Sequence, residues 1–156
     1  MKTIVLILAV GVGVYFAYNH FQNPAEIQNP VYGELRVDMN AGSRKINMIL
    51  FAKMANEAEC KERSKRVWEK MIENCKDCSM QLVDCKPELA PRYEQLFEDV
   101  PINIAYLSLN RGSRFERDGR MVIWGVTGTE GDQLCEIAKA SFQNRYSGQI
   151  RCVASR

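Results

Sequence analysis

The chain has 156 residues, of which 46% are hydrophobic and 26% charged, so we expect one compact domain with a short additional segment. Its 21 lysines and arginines against 19 acidic residues give a net charge of only +2, which argues against a nucleic-acid-binding protein. His20 is the single histidine, so Ser-His-Asp and Cys-His catalysis, HExxH zinc sites and histidine-rich metal centres lack their parts.

An uncharged apolar run occupies residues 3–18, with Lys2 directly before it. As a helix it is about 24 Å long, somewhat shorter than the ~30 Å hydrocarbon core of a membrane. We predict that residues 1–21 form an uncleaved signal-anchor, because Tyr15 is too large for signal cleavage after Ala17. A cleaved signal, which leaves the protein secreted, is the alternative. The positive N-terminus places the bulk of the chain outside a bacterial inner membrane, in the periplasm.

The apolar run carries three small residues four positions apart, Ala9, Gly13 and Ala17. This small-xxx-small pattern lets two membrane helices approach closely, and it predicts a homodimer through that face. The alternative is that small residues are simply common in apolar segments. In either case we expect the N-terminal helix to be bound to the membrane.

The composition changes after the apolar run. The tripeptide Gln-Asn-Pro occurs twice, and Gly33 and Gly42 follow it. These turn-forming residues predict a linker over 22–44 and a disulfide-stabilised domain over 45–156. Polar and apolar residues alternate from Glu34 to Met39 within the linker, which is compatible with a short leading strand.

The rest of the chain alternates strands and helices. Periodicity predicts a strand over 46–52, a helix over 57–74, a strand over 80–84, a helix over 87–97 that begins at a proline, and a strand over 102–109. Asp118-Gly119 predicts a two-residue hairpin turn between strands over 114–117 and 120–124. A helix over 130–144 and a strand over 149–153 complete the pattern. The alternation predicts the α/β class, with helices packed on a mixed sheet.

The predicted helix over 57–74 is amphipathic. The face that we expect to be buried carries Cys60, Ser64, Val67, Trp68, Met71, Ile72 and Cys75. The face that we expect to be solvated carries Lys61, Arg63, Lys65, Arg66, Glu69, Lys70 and Glu73.

Six cysteines in an oxidising compartment predict three disulfides. Cys60 and Cys75 lie about 22 Å apart along one helix, and Cys78 and Cys85 about 20 Å apart along one strand, too far for a bond. In a β-α-β unit the start of the helix and the end of the second strand meet at one edge of the sheet. That geometry, applied to both such units and followed by elimination, predicts the pairs Cys60–Cys85, Cys135–Cys152 and Cys75–Cys78.

The CxxC pair Cys75–Cys78 has three interpretations. A CxxC that begins a helix has a lowered thiol pKa, whereas this one follows a helix, so a structural disulfide is favoured over a redox pair. A zinc site made of both CxxC cysteines with Cys60 and Cys85 is the third, weakened by the length of the helix. We predict neither a metal nor a cofactor.

Several short strings occur in an order that is similar to a thioredoxin-like fold over about residues 46–142. They are Ile49–Ala52, Cys60-Lys61, Leu82–Asp84, Glu88–Ala90 with Tyr93, and Val100-Pro101. The resemblance implies the order β-α-β-α-β-β-α plus a C-terminal strand. It also implies that Cys60 matches the second active-site cysteine and Pro101 the cis-proline, while Glu57 occupies the position of the nucleophile. The alternative is that Pro101 simply precedes a strand and follows a trans peptide bond.

A second resemblance is to a ferredoxin-like α+β sandwich, which includes the sporulation-related repeats that bind peptidoglycan. It rests on two β-α-β halves, Ile46–Cys85 and Met121–Val153, each with one predicted helix-to-strand disulfide.

A basic series recurs every three residues, at Arg111, Arg114, Arg117 and Arg120. These side chains are candidates for binding phosphate or carboxylate groups of lipid or cell wall, and a solvated hairpin is the alternative. With no complete catalytic set, we expect a non-catalytic domain for recognition or assembly in the cell envelope, with an envelope protein or the cell wall as partner. The alternative is an envelope thiol-disulfide oxidoreductase that uses Cys60 or Cys75 and Cys78.

Overall fold

A computed structural model describes residues 26–72 and 75–156, without the side chains of residues 71 and 72. The predicted signal-anchor over 1–21, with its small residues Ala9, Gly13 and Ala17, lies outside this range. Within the range, no helix is long and apolar enough to cross a membrane.

Six strands form one open sheet in which every neighbouring pair is antiparallel. The strands are β1 (Val31–Ala41), β2 (Arg44–Met54), β3 (Cys78–Lys86), β4 (Tyr106–Asn110), β5 (Gly119–Trp124) and β6 (Gln149–Val153). Their spatial order is β3-β1-β2-β5-β4-β6. The helices are α1 (Glu57–Ile72), α2 (Pro91–Glu94) and α3 (Gly128–Phe142), and a 3-10 turn, Gln95–Glu98, follows α2. The prediction of helices packed on a sheet is confirmed, but the prediction of a mixed sheet is wrong.

The sheet consists of two ββαβ halves. In the first half β1 lies between β2 and β3 and pairs antiparallel with both, so β2 and β3 run in the same direction without touching. In the second half β4 lies in the same way between β5 and β6. The halves join where β2 pairs with β5, with Leu50 opposite Met121. A thioredoxin-like order is not confirmed, because one antiparallel strand separates each pair of strands that a long helix connects.

The leading strand is longer than its sequence pattern indicated. β1 begins at Val31 inside the expected 22–44 linker, and its inward residues Gly33, Leu35 and Val37 are buried. A two-residue loop connects β1 to β2, and its Gly42 has a φ of +65°, a backbone conformation that glycine adopts without a steric penalty. The sheet therefore starts before Lys45.

The predicted strand over 114–117 and the predicted Asp118-Gly119 turn are wrong. Residues 111–118 form a loop in which side-chain carboxylates, rather than a neighbouring strand, accept the first three backbone N–H groups. Asp118 accepts from Arg111 N at 2.9 Å, and Glu116 accepts from Gly112 N at 2.9 Å. Gly119 is already part of β5, opposite Leu109.

Two other boundaries shift towards the C-terminus. The helix predicted over 87–97 begins at Pro91 and soon becomes the 3-10 turn. The strand predicted over 102–109 starts only at Tyr106.

Each face of the sheet buries its own core. The core between the sheet and α2 with its 3-10 turn consists of Ile49, Phe51, Tyr93, Leu96, Tyr106, Val122 and Val153. The face under α1 and α3 buries Leu35, Val37, Met48, Leu107, Met121 and Cys135. The two long helices therefore share one face, and the short helix covers the other.

Three disulfides join the same pairs that the sequence geometry gave. Cys60–Cys85 ties α1 to β3 and Cys135–Cys152 ties α3 to β6, with Cα atoms 6.1 and 5.9 Å apart. Cys75–Cys78 closes the turn that enters β3, with Cα atoms 5.5 Å apart. All six cysteines are paired.

Candidate functional site

A groove of about 370 Å³ lies between α1 and α3. It exists because α1 packs mainly on β1 and β3, and α3 on β4 and β6, so the two central strands are left uncovered by a helix. The floor consists of the apolar side chains Leu50, Met54, Leu109 and Met121. An open apolar floor between two helices is a common position for a binding site.

The α1 wall of the groove is a stripe of four residues, Arg63, Arg66, Val67 and Lys70. Their spacing, i, i+3, i+4 and i+7, places them on one side of the helix. Val67 is 41% exposed although the sequence placed it on the buried face. The three basic residues, expected to be solvated, stand along the edge of an apolar floor.

The opposite wall comes from the β4–β5 loop and the end of α3. Phe115 in the loop is 68% exposed, the largest exposed fraction among the large apolar side chains in the described part of the chain. Phe142 and Tyr146 line the same wall. The Tyr146 hydroxyl donates a hydrogen bond to the carbonyl of Arg117 at 3.0 Å, and burial raises the pKa of this phenol. The hydroxyl therefore stays protonated and fixes the loop.

One carboxylate at the rim is shared by two guanidinium groups. Glu59 Oε1 lies 2.7 Å from Arg63 Nε and 2.6 Å from Arg117 Nη2. Burial raises the pKa of Glu59, but hydrogen bonds from Ala55 N and both arginines outweigh burial and lower it. Arg63 also donates to the Phe115 carbonyl at 3.1 Å, which fastens α1 to the loop. The two guanidiniums carry one more positive charge than this carboxylate cancels.

The basic series predicted at intervals of three does not form one surface. Arg120 is 2% exposed and reaches the other face of the sheet, where it donates to the Leu96 carbonyl at 2.6 Å. Arg111 is paired with Asp118, and Arg114 lies over the Phe115 ring, 4.9 Å from its centroid.

Arg117, with its partners Glu59 and Arg63, belongs to the groove between α1 and α3, whereas Arg120 supports the fold. Arg117 belongs to the β4–β5 loop, whereas Arg120 is part of β5 and points to the face under α2 together with Val122.

The redox candidates lie in different environments. Cys60 is fully buried, and a Cβ placed on Gly33 would lie 3.0 Å from its sulfur, so this disulfide packs against the backbone of β1. Cys75 and Cys78 are half-buried at the turn that enters β3. Pro101 is exposed and, like every residue that the structure describes, follows a trans peptide bond.

Sequence reasoning missed the groove, although the helical spacing of the stripe on α1 can be recognised in the sequence. The floor comes from β2, β4 and β5, which a one-dimensional pattern does not bring together. In residues 26–72 and 75–156 no group of three or more His, Cys, Asp or Glu side chains is placed to hold a metal ion. No family model matches the chain, and neither a curated protein nor a solved structure matches it.

Proposed function

We propose that this protein is a non-catalytic recognition domain of the cell envelope, and that it binds the apolar part of its partner in the groove between α1 and α3. The observation that carries the proposal is the exposure of Val67 and Phe115 over one apolar floor. Scattered exposed apolar side chains are ordinary, but two that line the same concave site indicate a binding surface.

The charged groups of the groove support a binding role over a catalytic one. The Glu59 carboxylate is held by two arginines and a backbone amide. The Glu116 carboxylate accepts hydrogen bonds from backbone amides of its own loop and from Ser147. A general acid or base needs a pKa near neutrality, whereas the pKa of each of these carboxyls is lowered.

The proposed location is the periplasmic side of a bacterial inner membrane, with residues 1–21 as the anchor. Three disulfides in one small domain support an oxidising compartment, because thiols stay reduced in the cytoplasm. The apolar run over 3–18 supports the anchor. Of the two fold relationships, the pair of ββαβ halves supports the ferredoxin-like one.

The test uses the full chain in phosphatidylcholine nanodiscs, with 13C-labelled methionine methyl groups as reporters. Met54 and Met121 line the groove, whereas Met80 lies on β3 and is 45% exposed. Decanol, a neutral apolar probe, should shift the first two signals and leave the third unchanged. Val67→Asp should abolish the shifts, and the matched control Ile137→Asp, an exposed apolar position on α3, should not.

Decanol that shifts none of these signals, or that shifts Met80 as strongly as Met121, would overturn recognition through the groove. Retention of the shifts in Val67→Asp would do the same.

The second candidate function is thiol-disulfide exchange, with a thioredoxin-like relationship. The observation that favours it is the half-buried CxxC disulfide Cys75–Cys78. Because this motif follows α1 and precedes β3, it does not stand at the helix N-terminus that lowers a thiol pKa in other CxxC motifs. If this candidate is correct, the protein reduced at this pair reduces insulin, and Cys75→Ser abolishes that activity. The recognition proposal expects no insulin reduction by either form.

A further inference from the structure

Resting on the proposed recognition function, we propose that the ligand of the groove is a single-chain amphiphile with a carboxylate head. The apolar chain lies on the floor formed by β2, β4 and β5, and the carboxylate is bound by the basic stripe of α1. Three independent features of the groove carry this assignment: its apolar floor, the distribution of charge at its rim, and the absence of a free strand edge beneath it.

The shape of the floor fits an apolar chain. Its volume of about 370 Å³ falls within the roughly 300–1,000 Å³ typical of small-molecule sites. A smaller recess of about 60 Å³ continues it under α1, lined in part by Gly33, Leu35 and Ser64. The recess shares Leu50, Met54 and Val67 with the groove. An elongated apolar group therefore has a path from the groove towards β1.

The charge at the rim fits an anionic head. Arg63, Arg66 and Lys70 stand in one row along α1, and Arg117 faces the same groove from the loop. Arg63 and Arg117 share the single carboxylate of Glu59, so one of these two charges is not cancelled by it. Arg66 pairs with Glu62 in a bridge whose side chains are 62% and 66% exposed, and such an exposed pair contributes little and can exchange its partner. Among the described residues that line the groove, Glu116 is the one acid.

The Glu116 carboxylate is already occupied by its own loop and by Ser147, whose backbone N–H donates to it at 2.5 Å. A ligand carboxylate bound by the basic stripe would form strong contacts, because hydrogen bonds between a carboxylate and guanidinium or ammonium groups are roughly twice as strong as neutral ones.

The floor favours an acyl chain over a peptide. β2 and β5 pair with each other, and their outer edges pair with β1 and β4, so no strand edge is free beneath the groove. A peptide lying there would bury its own N–H and C=O groups against Leu50 and Met121 without hydrogen-bond partners, which is unfavourable for each group. A hydrocarbon chain has no such groups.

The experiment extends the methionine-methyl titration of the full chain in nanodiscs to three probes. Decanoate has chain and charge, decanol has the chain alone, and butyrate has the charge with almost no chain. Decanoate should shift Met54 and Met121 at about tenfold lower concentration than decanol, because it adds a charge-assisted contact. Butyrate should shift neither signal.

Two matched double variants test the role of the stripe. Arg66→Gln with Lys70→Gln removes two charges from the groove side of α1 and should remove the tenfold advantage of decanoate. Lys61→Gln with Lys65→Gln removes two charges from the outer side of the same helix and should preserve it.

Equal binding of decanoate and decanol, or an advantage that survives the groove-side variant, would overturn the carboxylate assignment while leaving recognition by the groove intact. Failure of both probes would overturn the two proposals together.

Discussion

In the first half of the molecule the outer strand, β3, has nine residues and none of them is buried, whereas β6 in the second half has five and ends on the buried Val153. Met80, Leu82 and Val83 of β3 are all exposed. Two disulfides hold the ends of β3, and one holds β6. The comparison indicates that covalent cross-links in the first half replace the burial that stabilises the second.

The second half relies instead on a buried ion pair. Arg120 Nη2 lies 3.0 Å from Asp99 Oδ1, and the two side chains are 1% and 10% exposed. Asp99 also pairs with Arg151 of β6 and accepts a hydrogen bond from Asn110 of β4. One carboxylate thus connects the 3-10 turn to three strands of the second half.

The largest expected effect follows from this ion pair. Asp99→Ala leaves Arg120 charged and buried without its partner, which should lower the free energy of unfolding by about 3–5 kcal/mol in urea titration. Asp132→Ala, at an exposed position on α3, is the control and should change it by less than about 0.5 kcal/mol. A loss below about 1 kcal/mol in Asp99→Ala would show that packing alone holds the second half.

The same carboxylate makes stability depend on acid. Burial raises the pKa of Asp99, but polar neighbours and the charges of Arg120 and Arg151 outweigh burial and lower it. Below about pH 4 the unfolded chain therefore binds a proton that the folded chain does not, so this contribution is present above that pH and lost below it. Asp99→Asn should flatten the fall in stability between about pH 5 and 3, and an unchanged slope would assign the acid sensitivity to other groups.

The disulfides provide the next largest effect. On chain entropy alone, removing Cys60–Cys85 should cost about 3.5 kcal/mol, Cys135–Cys152 about 3.2 and Cys75–Cys78 about 1.9, because the closed loops differ in length. Alanine at both positions of each pair, with urea titration, gives these values.

Hydrogen exchange sharpens the comparison between the halves. Without Cys60–Cys85 the amides of β3 should exchange through local opening, since no buried side chain retains this strand. Without Cys135–Cys152 the amides of β6 should still exchange only with global unfolding. Equal protection of β3 in both variants would contradict the idea that cross-links replace burial there.

The regular part of the fold was predictable because its periods are local. The strand over 46–52, the first long helix and the final helix all lie within a few residues of their predicted bounds. β1 was the main loss, since Gly33 and Gly42 resemble a spacer in sequence but serve close packing on Cys60 and a tight loop. Its position between β2 and β3 depends on long-range pairing, which also decides that the sheet is antiparallel.

The candidate site was less predictable than the fold. Arg117 was singled out for its spacing, but its role depends on Glu59, 58 positions earlier in the chain. Val67 was assigned to the core because its helix face is apolar, and only the distance between α1 and α3 leaves it exposed.

The smallest expected effect comes from a feature that the halves share. Each long helix has a glutamate in its first turn that pairs with an arginine of the other half: Glu59 with Arg117, and Glu130 with Arg44. Glu59 and Arg117 are 16% and 17% exposed, whereas Glu130 and Arg44 are 40% and 49% exposed. Water screens the second pair more strongly, although the hydrogen bonds from Arg44 and Thr127 lower the pKa of Glu130 to about 2.

Arg117→Gln should therefore lower the midpoint of thermal unfolding measurably, while Arg44→Gln should change it little. Added salt should reduce the stability difference between the wild type and Arg44→Gln further, and affect Arg117→Gln less, because a half-buried pair is less accessible to ions. Equal effects of the two substitutions would mean that the pairs act alike despite their different exposure. In that case the two ion pairs between the ββαβ halves would be equivalent, although the outer strands of the halves are attached in different ways.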